Sequence, residues 1–308
     1  MRFGAHLPLA VLREREVTAA DLTAYAAHAE ELGFQILGAN DHLVFTRPFL
    51  DCLTSLAAVI SSTREMALMT TISLPVVRGP VQLAKALTTM ATLSQGRVIA
   101  GVGPGSHRGD YAAAGIEFDE RWPRFDEAIR ALRHLLGAAS EPYSGHFYRT
   151  DGLDLEPRPK ADQRVPIWIG SWGSEVGLKR VARYADGWLA SAYNTDPVQF
   201  ADSRARLDEY LTASGRSAGS FPNAIATMFF HITESRAEAE RVVRIVAAFL
   251  NRSDELIRDR LLIGSWENSA AKIIAFRDAG AQALLVWPVE DDLRQLEKFR
   301  RLFMTAAV

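Results

Sequence analysis

Residues 66–105 read MALMTTISLPVVRGPVQLAKALTTMATLSQGRVIAGVGPG. An apolar strand is expected from Met66 to Leu74, stopped by Pro75. A helix of apolar period follows from Val81 to Leu93, with Pro80 at its start and Ser94 to Gly96 at its close. A second apolar strand, Arg97 to Val102, opens into Gly101-Val102-Gly103-Pro104-Gly105. The stretch is one βαβ unit with a glycine-rich mouth at the carboxyl end of its second strand. Parallel α/β proteins bind ligands at that end, and glycines there let a flat or bulky ligand come close to the backbone.

The same alternation runs outward in both directions. Further strands are expected at Arg2–Leu7, Gln35–Ala39, Pro166–Ile169, Gly187–Ser191, Ala224–Ile232 and Ala283–Trp287. Helical periods fall at Ala19–Leu32, Phe49–Ser61, Arg121–Leu136, the stretch from Ser174 to Tyr184, Pro197–Ala213, Ala237–Leu250, Glu267–Ala279 and Asp291–Phe303. Thr18 is the candidate N-cap of the first helix and Gly33 its stop. Pro142–Lys160 has a different texture, rich in Gly, Pro and aromatic residues. It reads as a hairpin-like insertion near 141–160. Eight short βα units close most naturally into a (β/α)8 TIM barrel, so residues 1–308 are expected to form a single α/β barrel domain with insertion segments. A doubly wound open sheet is the competing architecture.

Composition narrows the function. The 308 residues are 48% hydrophobic and 23% charged, enough for a large core. A net charge of −2 and the lack of a dense basic run argue against nucleic acid. Cys52 is the sole cysteine, so no intrachain disulfide can form. The N-terminus lacks the apolar core of a signal peptide. No apolar run of about 18 residues is present, so no membrane span is expected. The expectation is a soluble cytoplasmic protein.

Four stretches can carry chemistry, and each has a plainer explanation. Gly101–Gly105 is spaced G-x-G-x-G, so the dinucleotide fingerprint fails; it is a ligand-approach site or simply a tight βα turn. Asn40-Asp41-His42 ends the second strand. An acid beside a histidine there can transfer a proton, or Asp41 is an N-cap and His42 is partly buried. Thr70-Thr71-Ile72-Ser73 presents hydroxyls to the mouth or merely alternates as a strand. Gly170-Ser171-Trp172-Gly173-Ser174 opens a helix whose N-terminus suits an anion, unless Ser174 only caps it. The G-x-S-x-G spacing at Gly215–Gly219 follows the Pro197–Ala213 helix and not a strand, so it is no nucleophile elbow, and no phosphate-binding P-loop occurs. The seven histidines include no H-x-H or H-x-x-x-H pair, so no metal site is expected.

Taken in order, MRFGAHLP, AEELGF, Asp41-His42, RVIAGVGPG, SGHFYRTDGLDLEPRP and PIWIGSWGSEVGLKRVARYADGW resemble the bacterial luciferase-like superfamily of flavin monooxygenases and deazaflavin-dependent oxidoreductases. The resemblance covers nearly the whole chain and implies a (β/α)8 barrel with a flavin-type cofactor in its mouth. It implies coenzyme F420 and hydride transfer to or from a small organic substrate. The alternative is an FMN-dependent monooxygenase using reduced flavin and O₂. A catalytically silent binding protein of the same fold is a third possibility. By the same resemblance, Asp41 and His42 flank the reactive ring. Thr71-Ile72 is the step that forms a non-prolyl cis peptide under the ring. Gly103, Pro104, Gly105 and Ser106 run along it, and Gly170, Ser171, Trp172, Gly173 and Ser174 take the cofactor phosphate. A homodimer is implied. Sugar-phosphate dehydrogenases of the deazaflavin branch carry a glutamate where this chain has Ser106. They also carry a tryptophan near Val44-Phe45-Thr46, so a phosphosugar substrate is not implied.

Overall fold

The computed structural model describes residues 1–10, 16–137, 141–158, 160 and 163–304. Nine strands form one parallel sheet: β1 (Arg2–His6), β2 (Ile36–Ala39), β3 (Ala67–Thr70), β4 (Val98–Val102), β5 (Ile167–Gly170), β6 (Gly187–Ser191), β7 (Asn223–Ile232), β8 (Leu262–Gly264) and β9 (Ala283–Pro288). Neighbours pair in sequence from β1 to β7; β7 then pairs with β9 and β9 with β1. Eight strands therefore close a barrel, and the open-sheet alternative falls. The ninth, β8, lies outside the ring on the second half of β7, at Phe230–Ile232. At three residues it was too short to stand out as a strand in the sequence.

The helices are α1 (Ala19–Glu31), α2 (Cys52–Ala58), α3 (Pro75–Arg78), α4 (Pro80–Leu93), α5 (Arg108–Ala113), α6 (Arg121–Leu135), α7 (Glu175–Tyr184), α8 (Pro197–Ala213), α9 (Arg236–Leu250), α10 (Asp254–Arg260), α11 (Trp266–Asp278) and α12 (Asp292–Phe299). Their ends follow local chemistry. Thr18 and Asp21 form a reciprocal capping box at α1. Pro80 opens α4, which buries Leu83, Ala84, Leu87, Met90 and Ala91. The short α3, α5 and α10 carry too few periodic residues to be seen in the sequence. Among the described residues no helix is long and apolar enough to cross a membrane.

Two apolar layers result. Ile36, Met69, Trp168, Leu189, Ala224, Ala226, Ala283 and Leu285 fill the lumen. A larger layer, including Leu37, Leu68, Val98, Ile167, Phe200 and Phe299, joins the strands to the helices. Within the expected insertion, Ser144 and Arg149 form an antiparallel bridge. Glu127 of α6 holds that turn by accepting from the backbone N–H groups of His146, Phe147 and Tyr148. Pro159 of that segment lies outside the described residues.

Candidate active site

Parallel register places the carboxyl ends of β1–β5 at one mouth, and with them every candidate residue. The strand expected to reach Leu74 leaves the ladder after Thr70. The Thr71-Ile72 peptide is cis, as the resemblance implied, and Ser73 rejoins β4 through a single bridge to Val102. The Ile72 side chain then wedges between β4 and β5. A Cβ built on Gly103 would stand 2.1 Å from Ile72 Cδ1, and one on Gly170 would stand 3.3 Å from Ile72 Cγ2. The glycine at 103 thus makes room for the protein's own isoleucine. Pro104 offers its carbonyl to the Tyr111 hydroxyl, and Ser106 is exposed at the rim.

Beneath this wedge runs a polar chain absent from the sequence reading. The Thr227 N–H, on a β7 residue with φ of 62°, donates to His6 Nε2 at 3.0 Å. His6 Nδ1 therefore carries the proton and faces Thr71 Oγ1 at 3.3 Å, and that hydroxyl donates to Asn40 Oδ1 at 3.0 Å. Trp287 stacks on His6 with ring centroids 5.0 Å apart. Burial pushes the His6 pKa down to about 3 from 6.5. The folded state thus keeps His6 neutral, whereas the unfolded chain takes up a proton below pH 6.5. Stability from this residue is complete above that value and is lost as pH falls toward 3. We expect urea unfolding to show about 2 kcal/mol less stability from His6 at pH 5 than at pH 7.5. His6→Gln should remove that difference; an equal pH dependence in the variant would mean that other groups carry it.

Asp41 is only 3% exposed. Arg78 of α3 grips it with Nε at 2.7 Å and Nη2 at 2.5 Å, and the Leu74 N–H adds a bond at 3.1 Å. The same Nη2 donates to Asp51, the N-cap of α2. Burial opposes charge on Arg78, but the two carboxylates outweigh it and raise its pKa. Burial likewise opposes charge on Asp51, and Arg78 with the Thr54 hydroxyl and N–H outweigh it. Asp41 therefore anchors α3 and the loop after β2. It is not the acid paired with His42, as its neighbouring position had suggested.

That acid is Asp110, on α5, which the sequence reading missed. His42 Nδ1 lies 2.8 Å from Asp110 Oδ2. Oδ1 accepts from the N–H groups of Leu43 at 2.7 Å and Val44 at 3.1 Å. Burial would raise the Asp110 pKa; these bonds and His42 overcome it and lower the pKa, so the carboxylate is ionised. An ionised partner fixes the proton on His42 Nδ1 and leaves Nε2 available. Phe45 and Phe49 collar the imidazole, with centroids at 4.3 and 5.2 Å. His107 crosses it nearly edge-on at 5.9 Å.

The Gly170–Ser174 loop is tightly braced. Ser174 Oγ caps α7 by accepting from Gly177 N, and Ser171 Oγ accepts from Gly173 N. Trp188 Nε1 donates to Ser171 O, and Arg206 donates to Gly173 O. Gly173 has a φ of 89°, and a Cβ there would stand 2.2 Å from Ser203 Oγ. This glycine has a conformational reason independent of any ligand. Trp172 is exposed. The first-turn amides of α7 outside the cap have no intrahelical acceptor.

The luciferase-like monooxygenase family model matches residues 1–253. The chain is 27% identical to an F420-dependent hydroxymycolic acid dehydrogenase of Mycobacterium tuberculosis, over 94% of this chain and 85% of that one. Several other curated relatives are matched over only about half to two thirds of their own length. Among solved structures, a monooxygenase from Streptomyces bottropensis superposes with a TM-score of 0.84 at 22% identity, covering 99% of each chain. An F420-dependent secondary alcohol dehydrogenase superposes with a TM-score of 0.83 at 17% identity, covering 98% of each chain. At those identities the two structures show a shared fold.

Proposed function

The chain belongs to the luciferase-like monooxygenase family, and on that premise we propose that it is an F420-dependent oxidoreductase acting on a small organic substrate. The observation that carries the reading is the His42–Asp110 pair at the barrel mouth, 2.8 Å apart within an aromatic collar. The F420-dependent dehydrogenase similar to this chain along most of its length favours the deazaflavin over FMN.

The residues present fit such a cofactor. Ile72 offers an apolar edge beside the Gly103–Ser106 segment, and the uncapped first-turn amides of α7, just after the Gly170–Ser174 loop, suit a phosphate. Arg206, bonded to Gly173 O, adds a positive charge beside that loop. Bound F420 supplies or accepts a hydride at the carbon that replaces the flavin N5. The protein's part is proton chemistry and positioning. His42 takes or gives, at Nε2, the proton that balances the hydride. Asp110 keeps the imidazole in one tautomer and one orientation. Phe45 and Phe49 pack against the imidazole and limit its orientations, and Asp41 with Arg78 holds the loop that carries it.

Purified protein titrated with F420 and with FMN, followed by cofactor fluorescence, tests the reading. Saturable binding of F420 and not FMN, with turnover that consumes no O₂, is expected. Tight FMN binding with O₂ uptake would establish the monooxygenase reading instead, and binding of neither would leave a catalytically silent barrel. Asp110→Asn should lower kcat about tenfold or more while F420 affinity and KM stay near their original values. A loss confined to KM would place Asp110 in substrate binding.

A further inference from the structure

We propose that His42, His107 and Asp110 form a binding site for one divalent metal ion of the zinc type. One donor atom from each residue lies within 4.8 Å of the other two. The donors come from two separate segments, the turn after β2 and the start of α5. His107 Nδ1 is buried, makes no hydrogen bond among the described residues, and lies 3.8 Å from Asp110 Oδ2. A buried ring nitrogen without a partner is costly, and a metal ion supplies that partner. Asp110 Oδ1, bonded to the Leu43 and Val44 N–H groups, gives the carboxylate the outer support that metal ligands commonly have. Both imidazoles are partly exposed, with side chains 21% and 31% accessible, so an ion can enter and a fourth position stays open.

Two imidazoles and one carboxylate suit Zn²⁺, and the same set accepts Co²⁺ or Ni²⁺; hard Mg²⁺ and Ca²⁺ prefer all-oxygen sites. Coordination requires the Nδ1 lone pair of His42. Its proton moves to Nε2, and metal–ligand bonds replace the His42–Asp110 hydrogen bond. His42 then carries a fixed proton at Nε2 and a metal at Nδ1, and it can no longer accept a proton. Zinc is therefore an inhibitor of the oxidoreduction, a consequence that rests on the function proposed above. Zinc binding itself does not rest on it. The sequence hides the site because His42 stands 65 positions before His107.

Calorimetric titration of chelator-treated, full-length protein with Zn²⁺ tests the proposal. One ion per chain at micromolar affinity is expected. His107→Ala and the more conservative His107→Gln should each weaken binding about tenfold or more while circular dichroism shows the native fold. No zinc binding by the wild-type protein, or wild-type affinity in both folded His107 variants, overturns the site. F420 fluorescence titration of the same samples separates the two claims. Zinc binding without F420 binding supports the site and defeats the function. F420 binding without zinc binding does the reverse.

Discussion

His42→Ala is expected to lower F420-dependent turnover by about 10²–10⁴-fold, the usual cost of removing a general acid–base group. Stability should change far less. His42 is partly exposed, and its bond to Asp110 is one of several that the carboxylate makes. Steady-state kinetics beside urea unfolding would check both halves. Full activity in a well-folded variant would reduce His42 to a packing residue and remove the acid–base assignment. Asp41→Asn gives the contrasting result. Its carboxylate touches Arg78 and the Leu74 amide, so its loss should appear first in unfolding.

Arg78→Ala carries the larger structural penalty, about 3–5 kcal/mol of stability. The guanidinium is the shared partner of Asp41, which is buried, and Asp51, which caps α2. Removing it leaves a buried carboxylate without its counter-charge, and that loss weighs more than a missing surface ion pair. The pair Arg78→Ala with Asp41→Asn should recover part of the loss, because the uncompensated charge goes with the second substitution. Chemical denaturation of the two single variants and the double variant reads this directly. Additive losses would show that Arg78 acts through packing and not through charge.

Most of the barrel was legible in the sequence because strand and helix periods are local properties. The βαβ unit at 66–105 placed β3, α4 and β4; β3 ends four residues earlier than expected, and the short α3 intervenes. His42 was legible because it lies three residues past a strand end. The rest depended on contacts between distant residues. Asp110 lies 68 positions from His42, on a helix of six residues with no pattern of its own. Asp41 was misassigned because adjacency in sequence suggested a pair, whereas successive residues point to different neighbours and Arg78 was out of view. The His6 network needed the β7 irregularity at Thr227, seen as a register shift against β9 between Ile225 and Met228, which no local motif announces. The glycines read as room for a ligand. For Gly103 and Gly173 the structure supplies internal reasons, in Ile72 and in the φ of 89° beside Ser203.

Residues 72, 103 and 170 draw on one shared volume, and this sets how the mouth can vary. A methyl group gained at 103 has to be surrendered at 72, and 170 feels the same constraint more weakly. A library that randomises these positions singly would score Gly103 as intolerant and discard it. A library that varies 72 and 103 together, with Ile72→Ala beside Gly103→Ala, would recover folded members whose mouths have a different contour. In this family member the isoleucine just past the third strand sets what the ends of the two neighbouring strands are permitted to carry.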